Sequence, residues 1–337
     1  MIRQLENPSY VVDPSIYHRF DERNTVFSRV EGDPNASFYE KFVYDNSAAV
    51  VDKDAPGYSR RDFARIMASW TVYKELQGSW DRFQVFPWSP LGGPDPVMEA
   101  CGKHTVTDRA EMSQEIKDTA IMFGADLVGI TLLDPRWIYS HDSQGDSIGI
   151  PEHCTHVIVM AVRMETRQIM QSPGFPSAVA TGVGYSRMAH AISCLAQFIR
   201  SLGYDAIPMG NDTALSIPLA IDAGLGSFGR NGLLITPKYG SSVRLCKVFT
   251  DLPLEADRPI DFGIMETCSH CGNCVSACPV GAISHKSAPS FRVKSISNNP
   301  GIKRWTIDPE KCYSFWVTNG ACCSNCIAAC PYTPRTG

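Results

Sequence analysis

Four cysteines stand within eleven residues in the stretch CSHCGNCVSACPVGAISHK, residues 268–286, and a proline follows the last of them. A looser run, CCSNCIAACPY, occupies residues 322–332. Nine of the 13 cysteines lie beyond residue 267, whereas a disulfide scaffold would spread them and would suit a short chain. Thiols crowded at one end of a 337-residue chain point to metal. Cys268, Cys271, Cys274 and Cys278 read C-x2-C-x2-C-x3-C-P, a spacing in which three thiolates hold one iron–sulfur cluster and the fourth crosses to another. Zinc favours two separated C-x2-C pairs and has no use for the C-x3-C-P tail. The second run, Cys323-x2-Cys326-x3-Cys330-Pro331, lacks the middle cysteine, and Cys312 upstream can supply that thiolate by folding back. The crossing rule then gives one cluster on Cys268, Cys271, Cys274 and Cys330, and another on Cys278, Cys312, Cys323 and Cys326. Cys322 is a rival to its neighbour Cys323, although the C-x2-C register favours Cys323. Cys101, Cys154, Cys194 and Cys246 belong to no motif and read as small buried hydrophobes.

Two cubane clusters move electrons one at a time, so other residues must carry any bond chemistry. With 44% hydrophobic and 20% charged residues, the chain is large enough for one sizeable α/β unit and a smaller module. A net charge of -4 leaves no electrostatic footprint for nucleic acid or anionic lipid. No apolar run approaches the roughly 20 residues of a membrane span.

The middle of the chain alternates helix and strand patterns. SQEIKDTAIMFGADLVGITLL predicts a helix ending near Gly124, with Ser113 and Glu115 at its start, then a strand over Leu127–Leu132. THVIVMAV is an apolar, β-branched run that reads as a buried strand. From Tyr185 to Leu202, Met188, Ile192, Leu195, Ile199 and Leu202 recur at helical spacing, and Asp205–Pro208 begins another strand. The first hundred residues, rich in aromatics, Pro and Asp/Asn, predict an irregular arm wrapped on this domain. GLGSFG at 224–229 matches G-x-G-x-x-G but follows LSIPLAIDA, which holds Pro218 and no clear strand, so a dinucleotide site is not supported. Its glycines still let backbone approach a large flat ligand. SRRDF at 59–63 looks like a twin-arginine signal, yet the charged ARIMASWTVYKEL after it is no signal core, and an exposed helix start is the better reading. No D-x-H-x-x-G stretch occurs, so the usual histidine ligand for cobalamin is missing.

The stretches GADLVGI, RWIYS, GYSRMA, GNDT, AGLGSFGRNGLLITPKYGSSVRLCKVFTDLPL and KCYSFW, with the two cysteine runs in that order, resemble the corrinoid- and iron–sulfur-dependent reductive dehalogenases over about residues 105–332. The resemblance implies an α/β (α+β) fold. Its nitroreductase-like α/β sandwich core would bind base-off cobalamin, and a ferredoxin-like module would hold two 4Fe–4S clusters. The corresponding division is an N-terminal arm over 1–105, a core over 106–260 and a module over 261–337. The missing corrinoid histidine agrees with it, since this family leaves the lower cobalt face without one.

The family's site residues carry over one at a time. Its tyrosine proton donor falls on Tyr185, its basic partner on Arg244, and the asparagine of alkene-reducing members on Asn211. Thr181, one helical turn before Tyr185, faces the same pocket on this reading, and Gly226 and Gly229 would let backbone approach the corrin. A free phenol is protonated at neutral pH and can give up a proton. A guanidinium beside it stabilises the phenolate left behind and is itself a fixed charge. Asn can donate a hydrogen bond to halide or phenolate.

The expected substrate is a small chlorinated aliphatic such as a chloroethene, with chlorinated phenols next. The expected partners are an electron donor from a respiratory chain, a ferredoxin or a flavodoxin, a small membrane-anchor subunit and a second copy in a homodimer; nucleic acid is not among them. The expected location is the outer face of the cytoplasmic membrane, as a mature form without its export signal, with the cytoplasm as the alternative. Family members usually continue past the second cysteine run, whereas this sequence stops at Gly337. Two rivals remain. An epoxyqueuosine reductase acting on tRNA should be basic and carry a helical-repeat extension, and a ferredoxin-like electron-transfer subunit should lack the residues that precede the cysteines.

Overall fold

The structure, a computed structural model, describes residues 2–51, 55–77 and 100–335. Its centre is a four-stranded sheet of β1 (Leu127–Leu132), β2 (His156–Arg163), β3 (Ala206–Met209) and β4 (Val243–Thr250). The order is β1-β2-β4-β3 and every neighbour is antiparallel. Val162 pairs with Arg244 and Met209 with Lys247. Seven of the eight residues of β2 are buried, because both faces of the sheet are covered. Ile158, Met160 and Val162 meet Cys246 and Val248 on one face, while Val157, Val159 and Ala161 meet Phe249 and Ile207 on the other.

Two helices close the first face. One is α3 (Arg109–Met122) and the other α4 (Phe175–Ser201), with α1 (Arg60–Ser69) and α2 (Thr71–Gln77) lying on α4. The short α5 (Ser216–Asp222) covers the second face, with Pro218 in its first turn, where no amide donor is needed. The expected stripe of Met188, Ile192, Leu195 and Ile199 is fully buried, while Leu202 caps the helix and is only partly buried.

Element types agree with the sequence reading, and two boundaries do not. The first helix starts at Arg109, not near Ser113: the Asp108 carboxylate caps it by accepting from the Ala110 and Glu111 amides. Ser113 is buried and its hydroxyl accepts from the Glu255 amide at 2.7 Å. The second helix starts ten residues before Tyr185, at Phe175. The added stretch, FPSAVATGVG, is small and glycine-bearing and reads poorly as helix. It is held there by packing under α1 and α2.

The N-terminal stretch is less irregular than its composition suggests. It carries helices Val26–Gly32 and Ser47–Val51 besides α1 and α2. Ser59 caps α1 by accepting from the Asp62 amide, so SRRDF is a helix start. Tyr10 and Tyr17 both stand edge-on to buried Trp137 at 5.5 Å, and Phe38 meets Tyr313 beyond the sheet. The cysteine-rich end is built from short helices: α6 (Ile264–His270), α7 (Asn273–Ser276), α8 (Pro309–Asn319) and α9 (Asn325–Ala328), with α7 packed on α9.

Candidate active site and cysteine module

Tyr185 sits on α4 between two partners supplied from elsewhere. Trp70 stacks on its ring at 4.8 Å and 28°, and the Arg244 guanidinium lies 5.3 Å from the ring centroid. Tyr73 closes a third side edge-on at 5.0 Å. The glycines of GVGY explain the sandwich. A Cβ on Gly182 would come within 2.0 Å of Ser69 Oγ and 2.9 Å of the Trp70 ring. One on Gly184 would stand 3.0 Å from Arg244 Cγ. Each glycine costs helix stability of about 1 kcal/mol and in return admits a partner of Tyr185.

Arg244 leaves β4 on the face that carries α4. Its Nη2 donates to Thr181 Oγ1 at 3.3 Å and its Nε lies 3.3 Å from Met164 Sδ. Tyr185, Arg244 and Thr181 are therefore brought together. Asn211 follows β3 and emerges at the same end of the sheet as Arg244. It is exposed, its Oδ1 accepts from Ser216 Oγ at 3.5 Å, and no direct contact joins it to Tyr185 among the described residues. Gly226 and Gly229 are buried in a hairpin, Ser227–Phe228 against Leu234–Ile235. The space a Cβ would take there is filled by the Ile235 carbonyl at 2.1 Å and the Ile235 side chain at 2.6 Å. Close approach at these glycines is made by the chain itself, a packing reason that needs no corrin.

Below Asn211 lies a polar cluster that the sequence reading passed over. Lys247, fully buried, donates to the carbonyls of Gly210 and Asp212, both at 2.9 Å, and to Ser216 Oγ at 3.1 Å. It thereby pins the turn that carries Asn211. A single lysine among the apolar residues of VRLCKVFT was the signal available. The Asp212 carboxylate is more than nine-tenths buried and finds no well-aligned donor, with only off-axis help from the Gly210 and Asp212 amides. Burial pushes Asp212 up against the opposing pull of Lys247, and pushes Lys247 down to about 8 against Asp212. Glu22, reaching in from the arm, is raised to about 8 by burial and then by the Asp212 charge.

The cysteines fall into two groups. Cys268, Cys271, Cys274 and Cys330 line one small cavity together with Arg230, Asn231 and Tyr332. Burial pushes the Cys274 thiol up to about 11, with Cys268, Cys271 and Cys330 acting in the same direction. Cys326 is raised by burial and then by Cys312, Cys323, Cys274 and Cys278, which marks the second group and its nearness to the first. The Ala282 amide donates to Cys278 Sγ at 3.2 Å and the Asn325 amide to Cys323 Sγ at 3.4 Å. Among the described residues no three His, Cys, Asp or Glu converge on a point that would hold one metal ion.

The second group is linked to the neighbours of Tyr185. Cys326 packs in the same apolar cluster as Met164, the neighbour of Arg244. Cys322 is buried on the Arg244 and Thr181 side of its neighbour Cys323, whose sulfur lies 3.9 Å from Ser172 Oγ. The second group thus stands behind Arg244, and the Cys268 group adjoins it through Cys274, which packs with Cys326.

Three comparisons bear on this arrangement. Residues 267–333 match the 4Fe-4S dicluster domain family. A tetrachloroethene reductive dehalogenase of Desulfitobacterium hafniense is 37% identical over 266 residues, covering 66% of this chain and 48% of that protein. A catabolic reductive dehalogenase solved in complex with 3-bromo-4-hydroxybenzoic acid superposes with a TM-score of 0.72 at 25% identity, covering 99% of this chain and 44% of that one. A reductive dehalogenase structure described as suggesting a mechanism for B12-dependent dehalogenation gives 0.73 at 25% identity, over 99% of this chain and 44% of that one. The chain spans about half the length of the curated relatives it matches. The resemblance read from the sequence stretches is borne out, and the fold is the mixed α/β fold of those structures with an iron–sulfur dicluster domain.

Proposed function

We propose that this chain, by sequence and fold a relative of the reductive dehalogenases, replaces a carbon–halogen bond of a small organohalide with carbon–hydrogen, consuming two electrons and a proton and releasing halide. On this reading residues 1–105 are an arm, 106–260 the core and 261–337 the cluster module. One observation carries the proposal: Tyr185 and Arg244 are held together, with the Cys326 group directly behind Met164. A proton source and an electron source are then neighbours.

The donor sets suit the groups they would hold. Eight thiols in two groups match two 4Fe–4S clusters, on Cys268, Cys271, Cys274 and Cys330 and on Cys278, Cys312, Cys323 and Cys326. The orphaned Asp212 carboxylate beside exposed Asn211 is an acceptor waiting for donors, and the amide fringe of a corrin offers them. Cobalamin, when bound, supplies the strongly reducing centre that side chains lack. The chain's own part is to deliver the proton and to hold the substrate. Tyr185 O–H gives up the proton, and the Arg244 guanidinium steadies the phenolate left behind. Thr181 and Met164 hold the guanidinium across Tyr185. Lys247 fixes the turn from which Asn211 reaches the substrate.

The substrate favoured is a chloroethene, because the 37% identical relative acts on tetrachloroethene, whereas the structure bound to a bromophenol acid is 25% identical. Electrons would come from a respiratory chain, a ferredoxin or a flavodoxin. The chain would work as a homodimer on the outer face of the cytoplasmic membrane, held by a small anchor subunit. No described helix is long and apolar enough to cross a membrane itself.

The test is halide release from tetrachloroethene or trichloroethene by corrinoid- and iron-loaded protein with reduced methyl viologen, without oxygen. Tyr185→Phe should keep both cofactors and lose at least about a hundredfold in turnover, the range of general acid catalysis. Loaded protein that releases no halide from any chloroalkene, chloroalkane or chlorophenol would refute the reading. Turnover of epoxyqueuosine in tRNA would replace it.

A further inference from the structure

The glycines of the GLGSFG stretch are packed close by their own chain, and the hairpin they begin carries a further residue. The strands Ser227–Phe228 and Leu234–Ile235 are joined by a tight bend. The Gly229 amide donates to the Leu233 carbonyl at 2.8 Å, the Gly232 amide to the Gly229 carbonyl at 3.1 Å, and Gly232 takes φ +74. Asn231, buried at the tip, braces it by accepting from the Leu233 amide and donating to Ser241 Oγ.

This rigid tip delivers Arg230 to the outer cysteine cavity. Arg230 is 5% exposed and lines that cavity with Cys268, Cys271, Cys274 and Cys330. Its Nε donates to the Cys268 carbonyl at 2.8 Å and its Nη2 to the Ser269 carbonyl at 3.1 Å. The Trp305 ring lies 5.4 Å from the guanidinium. Among the described residues no carboxylate pairs with it. A buried, always-charged cation without a counter-charge is costly unless something anionic stands beside it. A cubane held by four thiolates is such an anion, and it gains one more negative charge on reduction.

We propose that Arg230 is a redox-tuning residue: its guanidinium, delivered by the hairpin tip, holds a fixed positive charge and the Cys268–Ser269 backbone against the cluster on Cys268, Cys271, Cys274 and Cys330 and raises that cluster's reduction potential. The inference rests on the two-cluster reading above. It makes the outer cluster an acceptor for an external donor, from which the inner cluster behind Arg244 is then charged.

The experiment is an anoxic potentiometric titration of the reconstituted full chain followed by electron paramagnetic resonance, with iron counted on the same samples. Wild type should hold about eight irons and show two one-electron transitions. Arg230→Gln should keep that iron and move one transition to lower potential by at least tenfold in its equilibrium constant, about 59 mV for one electron, while the other stays. Arg230→Lys, which keeps the charge, should recover most of the shift. Should the Gln variant drop four irons while the Lys variant keeps eight, the charge holds the cluster rather than tunes it, which overturns the inference. Unchanged transitions in the Gln variant overturn it, as does an equal shift in both variants or loss of four irons from both. A wild type with only one transition and about four irons would instead refute the two-cluster reading, and the inference with it.

Discussion

The sheet core and the cysteine module are two different solutions to staying folded. The core buries an apolar layer on each side of its sheet, and its main helix runs for 27 residues. The module's longest helix has 11 residues, α7 and α9 have four each, and the two small apolar clusters around its cysteines hold three buried residues apiece, one of them a cysteine and, in one cluster, one of them Ile235 from the core hairpin. Hydrophobic burial can hold the first together. The second, with less apolar surface of its own, is expected to draw on metal–thiolate bonds, as small metal domains do. The lesson is that cofactor loss and core mutation should damage different halves of this molecule.

Iron removal gives the largest contrast. Anoxic chelation should strip hydrogen-exchange protection from α6 to α9 and leave the amides of β2 and β4 protected. The measurement is exchange followed by mass spectrometry on holo and chelated protein. Protection lost from the strands at the same rate as from the module would erase the contrast, and so would a module that stays protected without iron.

A core truncation should do the reverse. Ile192 is fully buried between α4 and the sheet. Ile192→Ala should cost about 2–5 kcal/mol of unfolding free energy, since transfer and cavity terms add. Urea midpoints would read it, and the folded fraction should retain full iron. If iron falls in step with stability, the two regions are one cooperative unit.

What could be read from the sequence follows the same divide. Metal ligation leaves its mark locally, because thiolates of one run come in fixed spacings; the crossing rule then divides the proposed groups, with Cys312 brought in by folding back to replace the cysteine the second run lacks. β2 was legible for a similar reason, being apolar on both faces. The start of α4 was not. Gly182 and Gly184 look like helix breakers, and their reason is Trp70 and Arg244, which arrive from distant segments. Nor did any local pattern announce Met164 beside Arg244 or Arg230 beside Cys268. Gly226 and Gly229 show the same limit: glycine reports that something comes close, here Ile235, and not what else does. Tyr185 and Arg244 were found only through family resemblance, and physics alone would have left them as a half-buried ring and a strand cation.

The smallest expected effect lies at the seam between arm and core. Glu22 is raised from an ordinary 4.5 to about 8, first by burial and then by the Asp212 charge, with Lys247 opposing. A carboxyl raised on folding binds its proton more tightly in the folded chain. Its contribution is therefore fully present below about 4.5 and is lost as pH rises through about 8. Glu22 keeps part of its surface in water, so the effect should be on the order of 1 kcal/mol across that window. Glu22→Gln, which keeps the shape and carries no titrating proton, should flatten this part of the pH dependence. It should be more stable than wild type at pH 8 and nearly equal to it at pH 5. Urea midpoints at four pH values, with iron counted on each sample, would read this. Parallel curves for wild type and variant would show that Glu22 does not titrate against the core. A pH-dependent loss of iron that Glu22→Gln also abolishes would show that the arm couples the two halves after all.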